Sequence, residues 1–320
     1  MTTIPFAKMV GTGNDFVVVD ARRPGVASLK RAWPAVSRAV CDRRAGIGAD
    51  GLLVLEPSHA ADIRMRVFNP DGSEAEMCGN GARCVALYVR NGARGTGHGA
   101  RGRPVTIETK AGVLSATVRG TRVAMRMTDP TGLTLDYPSA AGSGRRRVGF
   151  INTGVPHAVV PVARLNAIDV EHLGRALRHH RAFSPGGANV DFIQPDPRRN
   201  NYLRVRTYER GVEAETPACG TGVAASAVVQ TLWRHGHAAG NGKLRRHTVN
   251  VETRSGDVLA VSFSAQGCGR DLRVTDLVLE GEAALVFRGD ITWPLSIAAC
   301  GRAEVLTCHA RTSAHPHVRT

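Results

Sequence analysis

The sequence predicts an α+β protein made of two similar pseudo-repeat domains, each a mainly antiparallel sheet wrapped around a central helix, with the active site in the cleft between them. The chain has 320 residues, which fits two domains of roughly 150 residues. Segment 68–89, FNPDGSEAEMCGNGARCVALYV, and segment 208–229, YERGVEAETPACGTGVAASAVV, have the same motifs in the same order. The stretch GVAASAVVQTLW is small or apolar on nearly every side, and a helix of that kind is normally buried.

The two matched segments share five features in one order. These are an aromatic residue at a strand end, a turn with glycine, Glu-Ala-Glu, Cys-Gly-x-Gly, and an apolar helix. Cys78 and Cys219 occupy matching places, about one domain length apart. Coincidence in a chain rich in alanine and glycine explains five ordered matches poorly. The repeat therefore predicts two related halves.

Runs of apolar and β-branched residues between turn residues predict short strands with few helices. In the first half, strands are predicted at Ile4–Met9, Phe16–Asp20, Leu52–Leu55, Ile63–Phe68, Val105–Thr109 and Val113–Val118, with helices over about 29–41 and from Gly79. In the second half, strands are predicted at Val148–Asn152, Ala158–Val162, Val190–Gln194, Leu203–Tyr208, Val249–Glu252 and Val258–Phe263, with helices at Asp169–His179 and Gly222–His235.

The domain limits follow from this reading. Residues 1–130 form the N-terminal half with Cys78, and residues 131–281 form the C-terminal half with Cys219. Residues 282–291 are predicted to be a final strand that returns to the N-terminal half. The basic tail 292–320 is expected to be poorly ordered.

The net charge of +15 raises the question of a nucleic-acid partner. Lysine occurs only four times among the 42 basic residues, the arginines are scattered, and aromatic residues that could stack on bases make up 5%. No apolar run reaches the roughly 18 residues of a membrane helix, and the N-terminus lacks a secretory signal. We therefore expect a cytoplasmic protein with a small-molecule partner, no nucleic acid and no membrane. A homodimer is a candidate assembly.

The seven cysteines follow no metal or disulfide pattern. No C-x-x-C occurs, and no histidine pair stands near a cysteine at the spacing of zinc ligands. Cys78 and Cys84 are six residues apart, which places them on different sides of a helix. We expect no metal site, and we expect Cys84 to be a buried structural thiol.

Cofactor loops are equally poorly supported. The segment GTGVAA (220–225) fits a dinucleotide pattern, but it does not follow a strand directly and no acidic residue stands about 20 positions later. The chain has no Walker pattern, and its four lysines offer no context for pyridoxal phosphate. We expect no cofactor.

A reactive thiol explains the repeated cysteine best. A cysteine immediately before a helix lies among backbone N–H groups at the positive end of the helix dipole, which predicts a stabilised thiolate with a lowered pKa. Two such cysteines, one per half, fit a reaction in which one group removes a proton from one face of a carbon and the other delivers a proton to the opposite face. The adjacent glycines would let backbone amides approach a substrate carboxylate.

Six motifs, taken in order, resemble the diaminopimelate epimerases, which are cofactor-independent enzymes of lysine and peptidoglycan-precursor synthesis. They are GTGNDFVVVD (11–20), RRAGIGADGLLVLE (43–56), FNPDGSEAEMCGNGARC (68–84), NTGVPHAVV (152–160), GANVDF (187–192) and YERGVEAETPACGTG (208–222). The resemblance covers about residues 4–291. It implies an isomerase that interconverts LL-2,6-diaminopimelate and meso-diaminopimelate by two-base proton transfer. The chain departs from many family members at Val155 and Gly51, where they carry Asn and Gln.

The resemblance also implies roles for individual residues. Cys78 and Cys219 would be the acid/base pair, with His157 and Glu209 as supporting acid/base residues. The α-carboxylate would be bound by the backbone amides of Gly79, Asn80, Gly220 and Thr221. The rest of the substrate would be held by Asn14, Asn69, Asn189, Glu209 and Arg210.

Two alternatives stay open on sequence grounds. A racemase or epimerase of another free amino acid, such as proline, hydroxyproline or histidine, would use the same two cysteines. A nucleic-acid-binding module would rest on the positive charge alone, and its retention on DNA would depend on salt.

Overall fold

The computed structural model describes residues 1–92, 103–137, 147–235, 243–267 and 271–294. The described residues fall into two compact units. Unit 1 comprises Met1–Val113 and the chain from Ala283 onward, and unit 2 comprises Leu114–Glu282.

Strands outnumber helices among the described residues. From the N-terminus the elements are β1 (Thr2–Gly11), β2 (Asn14–Asp20), α1 (Trp33–Cys41), β3 (Gly51–Glu56), β4 (Ile63–Phe68), β5 (Glu74–Ala75), α2 (Gly79–Arg90), β6 (Val105–Thr109) and β7 (Gly112–Arg119). They continue as β8 (Arg122–Arg126), β9 (Thr131–Thr134), β10 (Gly149–Asn152), β11 (Pro156–Pro161), α3 (Val170–Arg178), β12 (Asn189–Pro195), β13 (Tyr202–Glu209), β14 (Ala214–Thr216), α4 (Gly220–His235), β15 (Arg245–Glu252), β16 (Val258–Gln266) and β17 (Arg273–Trp293).

The strands of unit 1 pair in an order that unit 2 repeats. In unit 1, β2 lies parallel to β3, β3 antiparallel to β4, β4 antiparallel to β5, and β4 parallel to β6. In unit 2, the same four relations join β11 to β12, β12 to β13, β13 to β14, and β13 to β15. The helices α2 and α4 follow at matching places. The predicted pair of α+β pseudo-repeats is confirmed.

A matched ion pair links the short strand to the long one in each unit. Arg66 donates to Glu74 at 2.8 Å in unit 1, and Arg206 donates to Glu215 at 2.6 Å in unit 2. Glu74 therefore corresponds to Glu215, and the sequence-based match of the first Glu of each Glu-Ala-Glu is wrong by two residues. The turn of unit 2 is one residue longer, and it places Glu213 in the left-handed region at φ 58°.

The core of unit 2 explains why α4 is apolar almost all round. In the buried strands β11–β13, alternate residues face opposite sides, as strand geometry requires. Val159, Ile193 and Val205 pack with the α4 residues in one cluster. Ala158, Phe192 and Tyr208 pack on the other side with residues of α3. The sheet thus has α4 on its inner face and α3 on its outer face, and the prediction of a buried central helix is confirmed.

Several predicted elements need correction. The helix predicted over 29–41 begins only at Trp33, because Pro34 occupies the first turn, where proline is best tolerated. Residues Ala27–Leu29 form a separate 3₁₀ turn. Strands β5, β8, β9 and β14 were not predicted, since they are short and mostly half-exposed. Cys84 is fully buried, as predicted.

The last described strand is long. β17 runs from Arg273 to Trp293, pairs with β8 up to Glu282, and pairs with β1 from Ala283 onward. Of the tail predicted at 292–320, Thr292 and Trp293 belong to this strand, and residues 295–320 lie outside the described residues. In the part of the chain that the structure describes, no helix has the length and apolar character needed to cross a membrane.

Helix α3 should tolerate no side chain at Gly174. A Cβ there would lie 2.4 Å from the Cβ of Tyr208, which is fully buried. Gly174→Ala should therefore lower the free energy of unfolding by about 1–3 kcal/mol, as forced overpacking does. Gly79→Ala is the matched control, since a Cβ at Gly79 has no neighbour within 4 Å. Urea unfolding of both variants checks this, and equal stability of the two would contradict the close packing of α3 on β13.

Candidate active site

Cys78 caps the N-terminus of α2. Its backbone is extended (φ −140°, ψ 116°), and its Sγ accepts a hydrogen bond from the backbone N–H of Gly81 at 3.4 Å. The residue is half-buried. The predicted cysteine at a helix start is therefore present, with one amide of the first turn directed at the sulfur.

A chain of side-chain amides connects the start of α2 to the start of β2. Asn80 Nδ2 donates to Asn14 Oδ1 at 2.6 Å, and Asn14 Nδ2 donates to Asp50 Oδ2 at 3.0 Å. The fully buried Arg83 donates to Asn80 Oδ1 at 2.5 Å and to Thr12 Oγ1 at 2.7 Å. These bonds hold the Asn80 side chain against β2 and the residues just before it.

The other predicted residue of unit 1 lies in a tight turn. Asn69 is exposed, and its Nδ2 donates to Ser73 Oγ at 2.9 Å. Gly72 completes the turn at φ 86°, a conformation that glycine adopts without strain.

Cys219 lies immediately before α4 and is 9% exposed. Its Sγ lies 3.4 Å from Thr221 Oγ1. Burial, reinforced by the nearby carboxylates of Glu209 and Asp191, raises the pKa of the Cys219 thiol to about 12. The expectation that the helix start lowers this pKa is therefore wrong for Cys219, because desolvation outweighs the helix amides.

His157 is fully buried on β11, beside Thr221. Its Nδ1 lies 2.7 Å from Asp191 Oδ2, and its Nε2 lies 2.9 Å from Thr221 Oγ1. Asp191 is also fully buried, and its Oδ1 accepts a hydrogen bond from Thr207 Oγ1 at 2.7 Å. A continuous line of polar contacts thus runs from Asp191 through His157 and Thr221 to the Cys219 sulfur.

Glu209 is the second acidic group near the Cys219 thiol. Burial raises the pKa of its carboxyl, while the proximity of Thr216 and His157 acts in the opposite direction. Burial thus favours the protonated form of the Glu209 carboxyl, compared with an exposed glutamate.

Asn189 positions the turn that carries Arg210. Its Oδ1 accepts the backbone N–H of Arg210 at 2.7 Å, and its Nδ2 donates to the carbonyl oxygen of Pro156 at 3.0 Å. The Asn189 amide is thus bonded at both ends. The guanidinium of Arg210 has a fork of donors that suits a carboxylate.

The structure groups the predicted residues into two sets. Asn14, Gly79 and Asn80 accompany Cys78 in unit 1, whereas His157, Glu209, Gly220 and Thr221 accompany Cys219 in unit 2.

Sequence reasoning missed Asp50 and Asp191. The signal for Asp191 was a lone charge inside the buried strand sequence NVDFI. Within the described ranges, no cluster of three or more His, Cys, Asp or Glu side chains could hold a metal ion.

Solved structures define the class of fold. A hydroxyproline epimerase from Agrobacterium vitis superposes with a TM-score of 0.60 at 17% identity, covering 91% of this chain and 91% of that chain. A phenazine biosynthesis protein of the PhzF family from Bacillus anthracis has a TM-score of 0.60 at 19% identity, covering 91% and 100%. The chain therefore has the two-repeat α+β fold of these proteins.

Sequence comparison then gives the family. The family model described as diaminopimelate epimerase matches residues 6–132 and 149–268. The diaminopimelate epimerase of Aquifex aeolicus is 41% identical over 300 residues, covering 90% of this chain and 97% of the relative. That of Methanocella arvoryzae is 41% identical over 303 residues, covering 91% and 98%. The chain belongs to the diaminopimelate epimerase family, and the resemblance seen in its motifs is confirmed.

The buried thiols predict a loss of stability in alkali. Burial raises the pKa of both Cys84 and Cys219 from 9.0 to about 12. At pH values between 9.0 and about 12, the folded chain keeps the two thiols protonated, whereas the unfolded chain releases their protons. The free energy of unfolding should therefore fall as the pH rises above 9, by on the order of 1–2 kcal/mol per thiol at pH 10.

Cys84→Ala isolates one of these thiols. Urea unfolding of the parent and the variant at pH 8 and pH 10 gives two losses of stability, and the loss should be smaller in the variant. Equal losses in the two proteins would show that the Cys84 thiol ionises alike in the folded and unfolded chains.

Proposed function

We propose that this protein is a diaminopimelate epimerase, an isomerase that interconverts LL-2,6-diaminopimelate and meso-diaminopimelate in lysine and peptidoglycan-precursor synthesis. The observation that carries the proposal is the duplicated cysteine at the start of a buried helix, in a chain that belongs to this family. The proposed location is the cytoplasm, and a homodimer is the assembly to test in solution.

In the proposed reaction, Cys78 and Cys219 act on opposite faces of the α-carbon. One cysteine, as thiolate, removes the α-proton, and the other, as thiol, delivers a proton to the opposite face. For the reverse reaction the roles exchange. A proton leaves and a proton returns with no net transfer of electrons, so the step itself requires no redox cofactor.

The two helix starts provide the electrostatic part of the mechanism. The first turn of a helix leaves backbone N–H groups without partners inside the helix. Those of Gly79, Asn80, Gly220 and Thr221 would bind the α-carboxylate and stabilise the charge that builds up when the proton leaves.

The protonation of Cys219 supports a division of labour between the thiols. Because burial raises its pKa to about 12, the free protein holds Cys219 as the thiol near neutral pH. Cys219 thus begins as the proton donor, with Cys78 as its partner. His157 and Glu209 would adjust these protonation states, since both lie near Cys219.

The distal end of the substrate requires its own contacts. Diaminopimelate carries a second amino-acid group, and its carboxylate is a natural partner for a guanidinium. We assign Arg210 to that carboxylate, with Asn14, Asn69, Asn189 and Glu209 as further contacts. The backbone bond from Arg210 to Asn189 Oδ1 fixes the turn that carries the guanidinium, which lowers the entropy lost when a carboxylate binds.

Isotope exchange tests the reaction. In heavy water without added cofactor, the protein should form meso-diaminopimelate from the LL isomer and incorporate deuterium at the α-carbon. Cys78→Ala and Cys219→Ala should each lower kcat by at least about 10³-fold, because each removes one acid/base group. Cys84→Ala is the matched control and should retain the parent rate. Normal turnover in either active-site variant would contradict the two-thiol mechanism.

A substrate panel tests the distal contact. The parent should act on diaminopimelate and leave proline, hydroxyproline and histidine unchanged. Arg210→Ala should raise KM for diaminopimelate at least about tenfold, the loss expected for a charged hydrogen bond. Arg254→Ala is the matched control, because it removes an exposed arginine that faces Glu215 in the same unit. An unchanged KM in Arg210→Ala would remove Arg210 from the distal site.

A further inference from the structure

The buried carboxylate of Asp191 has no role in the reaction as described so far. It lies on the inner face of β12, the face toward α4, because its strand neighbours Val190 and Phe192 pack on the opposite side with α3. Both Asp191 and its partner His157 are fully buried. A buried charged group is costly unless it is fully bonded, so a carboxylate here needs an explanation.

Both carboxylate oxygens of Asp191 have hydrogen-bond partners in unit 2. Thr207 donates to Oδ1 at 2.7 Å, and His157 Nδ1 lies 2.7 Å from Oδ2. A Cβ at Gly222, in the first turn of α4, would lie 2.3 Å from Oδ1. Gly222, the second glycine of Cys-Gly-Thr-Gly, therefore leaves room for the Asp191 carboxylate and lets α4 pack close to β12.

The hydrogen-bond partners determine where the protons lie. An ionised carboxylate only accepts, so the Nδ1 of a neutral His157 carries the hydrogen and its Nε2 is bare. Thr221 must then donate its hydroxyl proton to Nε2 across 2.9 Å. The Thr221 oxygen is left to accept the S–H of Cys219, whose sulfur lies 3.4 Å away.

Unit 1 provides an internal comparison. The strand registers place Phe16 where unit 2 has His157, Leu53 where it has Asp191, and Val67 where it has Thr207. All three are buried apolar residues. Within unit 1, Cys78 thus has no counterpart of the Asp191–His157 pair among these positions. The polar set belongs to the Cys219 half and is not a requirement of the fold.

We propose that Asp191 is a positioning residue for Cys219, holding His157 so that the imidazole exchanges the Cys219 proton through the hydroxyl of Thr221. The proposal rests on the two-thiol function, because it explains how Cys219 can serve as base as well as acid. When Cys219 becomes thiolate, its S–H bond breaks and an O–H bond forms at Thr221. The original hydroxyl proton of Thr221 passes to Nε2 of His157, and the carboxylate of Asp191 stabilises the resulting imidazolium. The reverse transfers restore the thiol.

A simple charge effect makes the opposite prediction. The groups that face the Cys219 thiol are Asp191 from β12, Glu209 from β13, and His157 from β11 through Thr221. Through space, the negative charge of Asp191 disfavours the thiolate of Cys219. If Asp191 acted only in that way, its removal would make Cys219 more reactive. If it acts through His157, its removal makes Cys219 less reactive.

Alkylation of the full chain without substrate separates these effects. Iodoacetamide reacts with thiolates, and peptide mass spectrometry gives separate rates at Cys78 and Cys219 between pH 6 and pH 10. In Asp191→Asn, an amide beside Nδ1 turns His157 to the other tautomer, as at a mismatched catalytic triad. The rate at Cys219 should fall at least about tenfold, which is a shift of one pKa unit, while Cys78 keeps its rate as the internal control.

Variants of Thr221 complete the test. Thr221→Val removes the hydroxyl at similar volume and should reproduce the slower alkylation of Cys219. Thr221→Ser keeps the hydroxyl and should restore the rate to within about threefold of the parent. In the epimerase assay, Asp191→Asn should lower kcat more than it changes KM, since Asp191 does not touch the substrate.

Each result decides the matter. A faster or unchanged Cys219 in Asp191→Asn overturns the proposal, and so does an equal fall at both cysteines, which would indicate a general structural loss. If Asp191→Asn does not fold, Thr221→Val decides alone, because Thr221 is only partly buried. The alkylation rates do not depend on substrate, so an inactive epimerase assay with the expected rates would refute the proposed function and not the role of Asp191.

Discussion

The closeness of α2 and α4 to the strands of their own units is the constraint on which the positions of Cys78 and Cys219 depend. A Cβ at Gly81 would lie 2.9 Å from Leu53, and one at Gly222 would lie 2.3 Å from Asp191. A side chain at either position would require a shift of that neighbour or of the helix start. A shift of the helix start would also move the cysteine three residues earlier and the amides that follow it. Two glycines thus fix the position of two thiols.

The Cys219 thiol shows how two opposing effects compare in size. A helix dipole stabilises a nearby negative charge by about 0.3–1 kcal/mol, and by up to about 2 in partly buried places. A rise in pKa from 9.0 to about 12 corresponds to roughly 4 kcal/mol against the thiolate. Burial therefore outweighs the helix dipole at the start of α4, and the carboxylates of Glu209 and Asp191 raise the pKa of Cys219 further. A reaction that needs the thiolate must then supply charge compensation from elsewhere in the site.

Much of the fold could be predicted from the sequence because its evidence is local or repeated. The alternating strands, the capped helix α3 behind Asp169, and the apolar helix α4 all have patterns within a short window. The helix before Cys41 was predicted too long because periodicity continues past the point where Pro34 sets the first turn. The correspondence of Glu74 with Glu215 follows from counting back four residues from Cys78 and from Cys219. Matching the two Glu-Ala-Glu triplets misses it, because unit 2 has one more residue in the preceding turn.

In the candidate site, too, some features follow from the local sequence and others do not. The two cysteines follow from the repeat, whereas the environment of Cys219 depends on contacts among β11, β12, β13 and α4, between residues 16, 34 and 64 positions apart. Asp191 appears in the chain as one acidic residue in an apolar strand, and only the sheet register reveals that it faces His157. The raised pKa of Cys219 likewise results from burial by the whole unit, which no short motif encodes.

The unequal interiors of the two halves have a thermodynamic consequence. In unit 1, Phe16 and Leu53 occupy the positions that correspond to His157 and Asp191. Substitutions around one thiol can therefore change its protonation without changing the surroundings of the other. The equilibrium constant between two isomers of a substrate is a property of the isomers alone. The ratio of kcat/KM in the two directions must equal it, whatever the protein does. Changes confined to one half can therefore alter how fast both directions run, but they can never make the protein a one-way catalyst.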